Sequence, residues 1–182
     1  MLDLSILLDT SSARQYVKKI QKQVVPKATV RSINRTLDQV NVRVARIIAK
    51  EMGMKVGAVK KRLKKIKATR GRFVAKLRPH HWTPNLIEFG ARSLKNKGVS
   101  HKAWGNRQKT RGAFIGKGRT SGKRLVYART TENRYPIKAL YGPTLRKTFI
   151  EDRIMKVMKM MAKGRFPKNF NADFRYYLSK VK

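Results

Sequence analysis

One long helical period constrains this chain more than any other feature. Ile33, Leu37, Val40, Val44 and Ile47 or Ile48 step by three or four residues, the spacing that lines one face of an α-helix. The pattern predicts an amphipathic helix over residues 28–52, roughly seven turns long. Gly53 predicts its end, because glycine adopts the left-handed conformation that closes a helix. A shorter helix is expected before it, over residues 10–25. Ser11 or Ser12 caps that helix, Val17, Ile20 and Val24 share a face, and Pro26 ends it. A basic helix is expected after Gly53, over residues 55–67, with Val56, Val59, Leu63 and Ile66 inward and lysines outward.

Beyond Arg70 and Gly71 the pattern changes to short β-branched and aromatic runs bounded by Gly and Pro. RFVAKL (72–77), NLIEF (85–89), GAFIG (112–116) and LVYART (125–130) read as strands. RYPIKALY (134–141) reads as an edge strand, because Pro136 lacks the amide that a central ladder needs. Residues 90–111 form a long basic loop, a length usually reserved for functional or mobile segments. Gly142 and Pro143 open a helix carrying Leu145, Phe149, Ile154, Met158 and Met161. Gly164 and Pro167 break it, and a last helix puts Phe170, Phe174, Leu178 and Val181 on one face. The fold class is α+β: N-terminal helices (1–70) packed on a mostly antiparallel sheet region (71–142), with C-terminal helices (143–182), in one compact domain.

Charge decides which partners such a domain takes. The 182 residues carry 46 Lys/Arg against 9 Asp/Glu, a net charge of +37. A surface of that kind repels itself until a polyanion or an acidic partner neutralises it. The imbalance is concentrated: residues 52–131 hold 23 Lys/Arg and one acid, Glu88. Nucleic acid is therefore the expected partner. No apolar run approaches the ~20 residues of a membrane span, and MLDLSILLDTSS, with Asp3 and Asp9, lacks the basic start of a signal peptide. Zero cysteines exclude disulfides and thiolate metal sites and suit a reducing cytoplasm.

IAKEMGMKVGAVKKRLKK (48–65) has the spacing of a helix-turn-helix, with Ala49, Gly53 and Val59 at the small, turn and buried positions. Its second helix would offer Lys55, Val56, Gly57 and Lys61 to base edges. Val and Gly have no donors for that task, and lysine reads phosphate more than base. A structural helix pair with a basic face is the preferred reading, and a nucleic-acid-binding module the alternative. The glycine-rich GAFIGKGRTSGKRLVYA (112–128) matches neither the P-loop nor the dinucleotide pattern. It reads as a hairpin tip whose Lys117, Arg119, Lys123 and Arg124 meet a phosphate backbone.

His80, His81 and His101 lack the companion ligands a metal site needs, so no metal or other cofactor is expected. Glu151 and Asp152 are adjacent and diverge on a helix, so they read as favourable first-turn acids and not as an acid–base pair. No nucleophile–base arrangement is present, and no enzymatic activity is expected. Phe114 and Tyr127 are assigned to the core by strand alternation. Trp104, in the long loop, is the best aromatic candidate for a contact, with Trp82 second, and the Met-rich run 154–164 reads as an adaptable packing face.

SINR (32–35), VAR (44–46), KATR (67–70), GAFI (112–115), NRYPI (133–137) and the Gly142–Pro143 pair before Phe149 occur in an order that resembles the prophage minor tail protein Z, or tail-completion, family of lambda-like tailed phages. The resemblance implies a structural virion protein at the head-proximal, neck end of the tail, assembled in the host cytoplasm. Its implied neighbours are a tail terminator or tube protein and the genome end, and it brings no catalytic residues. Tail symmetry then predicts a ring or one copy per subunit of an existing ring. The residues expected to meet genome DNA, or acidic tail neighbours, are Lys60, Lys61, Lys64 and Lys65 on the basic helix and Lys117, Arg119, Lys123 and Arg124 at the hairpin tip.

Overall fold

The helical period of the first third is realised as one continuous rod. A computed structural model describes residues 11–95, 97–118 and 122–181; the segment 1–10 and Arg119 lie outside the described residues. Helix α1 (Ser11–Lys19), a π turn (Ile20–Val24) and α2 (Val25–Met52) follow one another without a break. The stop expected at Pro26 is not made. The Val25 amide donates to the Ile20 carbonyl, five residues back, and Pro26 falls in the first turn of α2. There the widened π turn lets the helix pass a residue that has no amide to donate. At the other end the glycine signal holds: Gly53 has φ +68 and its amide donates to Ala49.

The basic helix is shorter than its period suggests. Helix α3 is Val56–Arg62, and the chain turns extended at Leu63 to form β1 (Leu63–Ile66), antiparallel to β2 (Lys76–Pro79). Lys64 and Lys65 therefore stand on a strand. LKKI fits either period over so few residues, and tertiary contact decides. As a strand it buries Leu63 in the core and lets Lys65 reach Asp38 on α2.

NLIEF also departs from its expected strand. Leu86–Phe89 is a 3-10 turn, capped by Asn85, whose Oδ1 accepts the Ile87 amide at 3.0 Å. The same Oδ1 accepts the Val126 amide at 2.8 Å, and Asn85 Nδ2 donates to the Val126 carbonyl at 3.2 Å. A buried side chain thus satisfies the Val126 amide as a strand backbone would, while the Val126 carbonyl also accepts the Leu140 amide at 2.9 Å. The expected loop 90–111 holds a three-stranded antiparallel sheet, β3 (Arg92–Leu94), β4 (Gly98–His101) and β5 (Gln108–Thr110). Its strands are three or four residues long and mostly polar, so alternation gives no signal. A second three-stranded sheet, β6 (Ala113–Lys117), β7 (Arg124–Arg129) and β8 (Ile137–Ala139), matches the expected hairpin and edge strand.

After the short α4 (Leu145–Phe149) the chain breaks at Ile150 and Glu151, and α5 (Asp152–Leu178) then runs through both Gly164 and Pro167. Packing along α2 offsets the cost of those residues. The two helices are antiparallel: Asp173 meets Arg31 and Arg35, Asn169 meets Thr36 and Gln39, and Arg153 meets Glu51. In its C-terminal half α5 turns Asn169 and Asp173, not its phenylalanines, into the seam. Phe166, Phe170 and Phe174 stack as a half-buried ladder beside it, centroids 5.9 and 5.8 Å apart. The main core lies toward the other end of α2. Val44 and Ile48 meet Val59 of α3, Phe89, Val99 of β4, Val126 of β7 and Leu145 of α4, all wholly buried. Each such side chain contributes about 1.5–3 kcal/mol relative to exposure. Among the described residues no helix is long and apolar enough to cross a membrane.

Gly53 serves this packing as well as the turn, because a Cβ there would run into the Lys102 backbone. Gly53→Ala is expected to lose roughly 2 kcal/mol or more, from left-handed strain and the overlap together. Gly57→Ala, in α3 with open space around it, is expected to be neutral or to gain up to about 1 kcal/mol. Urea unfolding of the two variants checks this; equal effects would mean that the glycine turn does not fix the α2–α3 corner.

Candidate nucleic-acid interface

Helix α3, the end of the β1–β2 hairpin and the β6–β7 hairpin converge on one cleft. Lys55, Gly57, Ala58, Lys61, Arg62, His80, Trp82, Glu88 and Lys123 line a space of about 730 Å³. The cleft is built from its backbone outward. The His80 amide donates to the Arg62 carbonyl at 2.7 Å, so the β1–β2 ladder carries the chain to the cleft's edge. On the far side Lys117 and Arg124 face each other across the β6–β7 hairpin, and the Gly118 amide donates to the Lys123 carbonyl at 2.8 Å.

The electrostatics of the cleft follow from the acid in its lining. Glu88 on the 3-10 turn takes a two-pronged ion pair from Arg62, whose Nη1 also donates to the Ala58 carbonyl at 3.2 Å. Both partners are mostly buried. Glu88 therefore ties α3 to the 3-10 turn and neutralises Arg62, while Lys55, Lys61 and Lys123 give the cleft its positive sign. A concave surface lined by one sign of charge focuses positive potential on whatever anion enters.

The structure sorts the expected contact residues. Lys61 and Lys123, distant in sequence, come together in the cleft. Lys60 is exposed on α3 but does not line it. Lys64 sits on the outer face of β1 opposite Arg78, beside Lys76. Lys65 is engaged by Asp38 Oδ1 at 2.5 Å. Lys117 and Arg124 are exposed at the base of the hairpin tip, and Arg119 is outside the described residues. Lys55 enters the sequence reading only as a base-reading position of the helix-turn-helix spacing; in the fold it lines the cleft instead. A second basic hollow, of about 680 Å³, is lined by Arg43, Arg46, Lys50 and Arg153 around Glu51. Its signal is present in the sequence, since residues 43, 46 and 50 recur at helical spacing on the exposed side of α2. Burial raises the Glu51 carboxyl above its ordinary range, opposed by the nearby Arg153.

Within residues 48–65 the end of α2 and α3 do flank a glycine turn, but α3 stops at Arg62 after about two turns, and Lys55, Gly57, Ala58 and Lys61 line a concavity. A helix that reads the major groove has to protrude. His101 is buried: its Nδ1 accepts the Ala103 amide, so Nε2 carries the proton toward Thr110 Oγ1 at 3.0 Å, and burial lowers its pKa. It braces the β4–β5 turn. His80 and His81 stack at 4.7 Å beside Trp82. Among the described residues no group of three potential metal-ligating side chains occurs. Phe114 and Tyr127 are not core residues. Ala113, Ile115 and Val126 face the core, while Phe114 and Tyr127 stack on the outer side with the Arg129 guanidinium 5.7 Å from the Phe114 ring. Trp104 is exposed in a left-handed turn (φ 63) near His101, outside the cleft.

A basic α+β domain of joined helices and small sheets is the class of protein these observations define. The chain belongs to the family described as Prophage minor tail protein Z (GPZ), whose profile matches residues 10–182. That family gives it a structural role in a phage tail, in association with other tail proteins. No curated protein and no solved structure matches the chain.

Glu88→Gln separates the two roles of the cleft's acid. Loss of the charged fork is expected to cost about 1–3 kcal/mol in stability, while removal of the negative charge tightens binding to a polyanion such as heparin. Thermal unfolding and low-salt binding read the two effects separately. Weaker polyanion binding by a folded Glu88→Gln variant would mean that Arg62 orientation, not net charge, sets the cleft's affinity.

Proposed function

We propose that the protein completes the tail at its head-proximal end, with the basic cleft against the phosphates of the genome end. One observation carries this reading: Lys55 at the N-cap of α3, Lys61 within it and Lys123 of the β6–β7 hairpin share one cleft, whose acid is turned to Arg62. The lining fits backbone contact, because its lysines meet phosphate as point charges and the fork of its one arginine, Arg62, is engaged by Glu88. A tail component meets whatever sequence ends the genome, so sequence indifference is what the position requires. Its membership in a minor tail family supports the setting, and tail symmetry supports a ring, or one copy on each subunit of a terminator or tube ring. In isolation, a net charge of +37 opposes self-association.

The test is the salt dependence of duplex binding. Wild-type protein is expected to bind unrelated duplexes equally and to lose affinity steeply with salt, the log–log slope falling by roughly 0.9 for each phosphate contact removed. A Lys55→Gln, Lys61→Gln, Lys123→Gln triple variant is expected to weaken binding and flatten that slope on every duplex alike. An unchanged slope in the triple variant would remove the cleft from the DNA contact. A preference on the order of a thousandfold for one duplex, the scale of specific over non-specific binding, would restore the helix-turn-helix reading of residues 48–65.

A further inference from the structure

Trp82 divides the basic cleft from a second hollow. On one side it shares the cleft with Lys55, Lys61 and Lys123. On the other it lines a space of about 430 Å³ with His81, Thr83 and Tyr141. Trp82 is 68% and Tyr141 57% exposed, a large apolar area left in water by a fold that has a core available to aromatic rings. Neither residue is on a loose segment. The His80 amide is tied to the Arg62 carbonyl and the Pro84 carbonyl accepts the Gly142 amide at 2.9 Å, so residues 81–83 are pinned at both ends. Tyr141 is bridged to Asn85. Packing adds to this: the Trp82 ring meets the His80 ring edge-on at 5.2 Å and the His81 ring at 5.9 Å, and its amide donates to His80 Nδ1 at 3.3 Å.

We infer that this pair of hollows takes unpaired nucleotides: phosphates on the lysine side, bases against Trp82 and Tyr141. The inference rests on the DNA reading above and narrows it to a single-stranded segment. In a duplex the base faces are covered by their neighbours, so the lysines meet phosphates while the rings find no base face to stack on. An unpaired strand exposes its base faces, and an aromatic ring beside a cationic groove is the arrangement that captures both without regard to sequence. A ring held in place before binding loses little freedom when the base arrives.

The experiment compares a blunt duplex with the same duplex bearing a short single-stranded extension, at one fixed low salt concentration, by fluorescence anisotropy. The full chain is expected to bind the extended duplex about tenfold more tightly, the gain from one stacked base. The Trp82→Ala, Tyr141→Ala variant changes two exposed side chains and is expected to bring the ratio of extended-duplex to blunt-duplex affinity down to about one, the loss of one stacked base. In a Trp104→Phe background the remaining Trp82 fluorescence should be quenched by a single-stranded oligonucleotide and not by the blunt duplex. Equal affinity for both duplexes, with no quenching, would overturn the single-strand inference and leave phosphate contact standing. Failure of wild-type protein to bind either duplex would overturn both.

Discussion

The Arg62–Glu88 fork joins α3 to the 3-10 turn, and the arrangement of the surrounding surface depends on it. In a chain with 46 cations and 9 acids, an acid placed between elements has a double effect. It fixes a junction, and it neutralises a cation there. The same economy appears elsewhere among the described residues. Asp38 ties α2 to β1 through Lys65, Glu51 ties α2 to α5 through Arg153, and Asp173 ties α5 to α2 through Arg31 and Arg35. Each pair opposes the mutual repulsion of the cations where two elements must touch. The lysines of the cleft lie beside such a junction.

The α2–α5 pairing sets the frame within which the fork operates. Its C-terminal half is a polar seam: Asn169 Nδ2 donates to Thr36 Oγ1 at 2.9 Å, and the Asp173 carboxylate accepts from two arginines. Its other half is the apolar core around Val44 and Ile48. A buried polar seam fixes register because a shifted helix would leave those groups unpaired. Register in turn positions the α2–α3 corner at Gly53, and with it the lysines of α3.

The long period of α2, the glycine stop and the β6–β7 hairpin are legible in the sequence because each is a strong local signal. The remainder depends on contacts across the fold. Pro26 reads as a terminator until a π turn places it in a first turn, and Pro167 reads as a breaker until α2 supports the helix through it. Asn85 gives no hint that its side chain stands in for a strand beside Val126. The cleft is half legible. Lys61 and Lys123 are visible as basic positions, but their convergence and the engagement of Lys65 by Asp38 are tertiary facts. Trp82 is recognisable as an aromatic among basic residues, yet its exposure depends on anchors at His80 and Pro84 that no spacing reveals.

The proposed function puts the cleft against nucleic acid in the assembled particle. A short-range photo-crosslinker placed at Lys61 and activated in intact virions tests it most directly. The account predicts covalent products that contain genome DNA, and their loss when particles lacking packaged DNA are irradiated. Products containing only a neighbouring tail protein, equally abundant in full and empty particles, would contradict it and assign the cleft to an acidic protein surface.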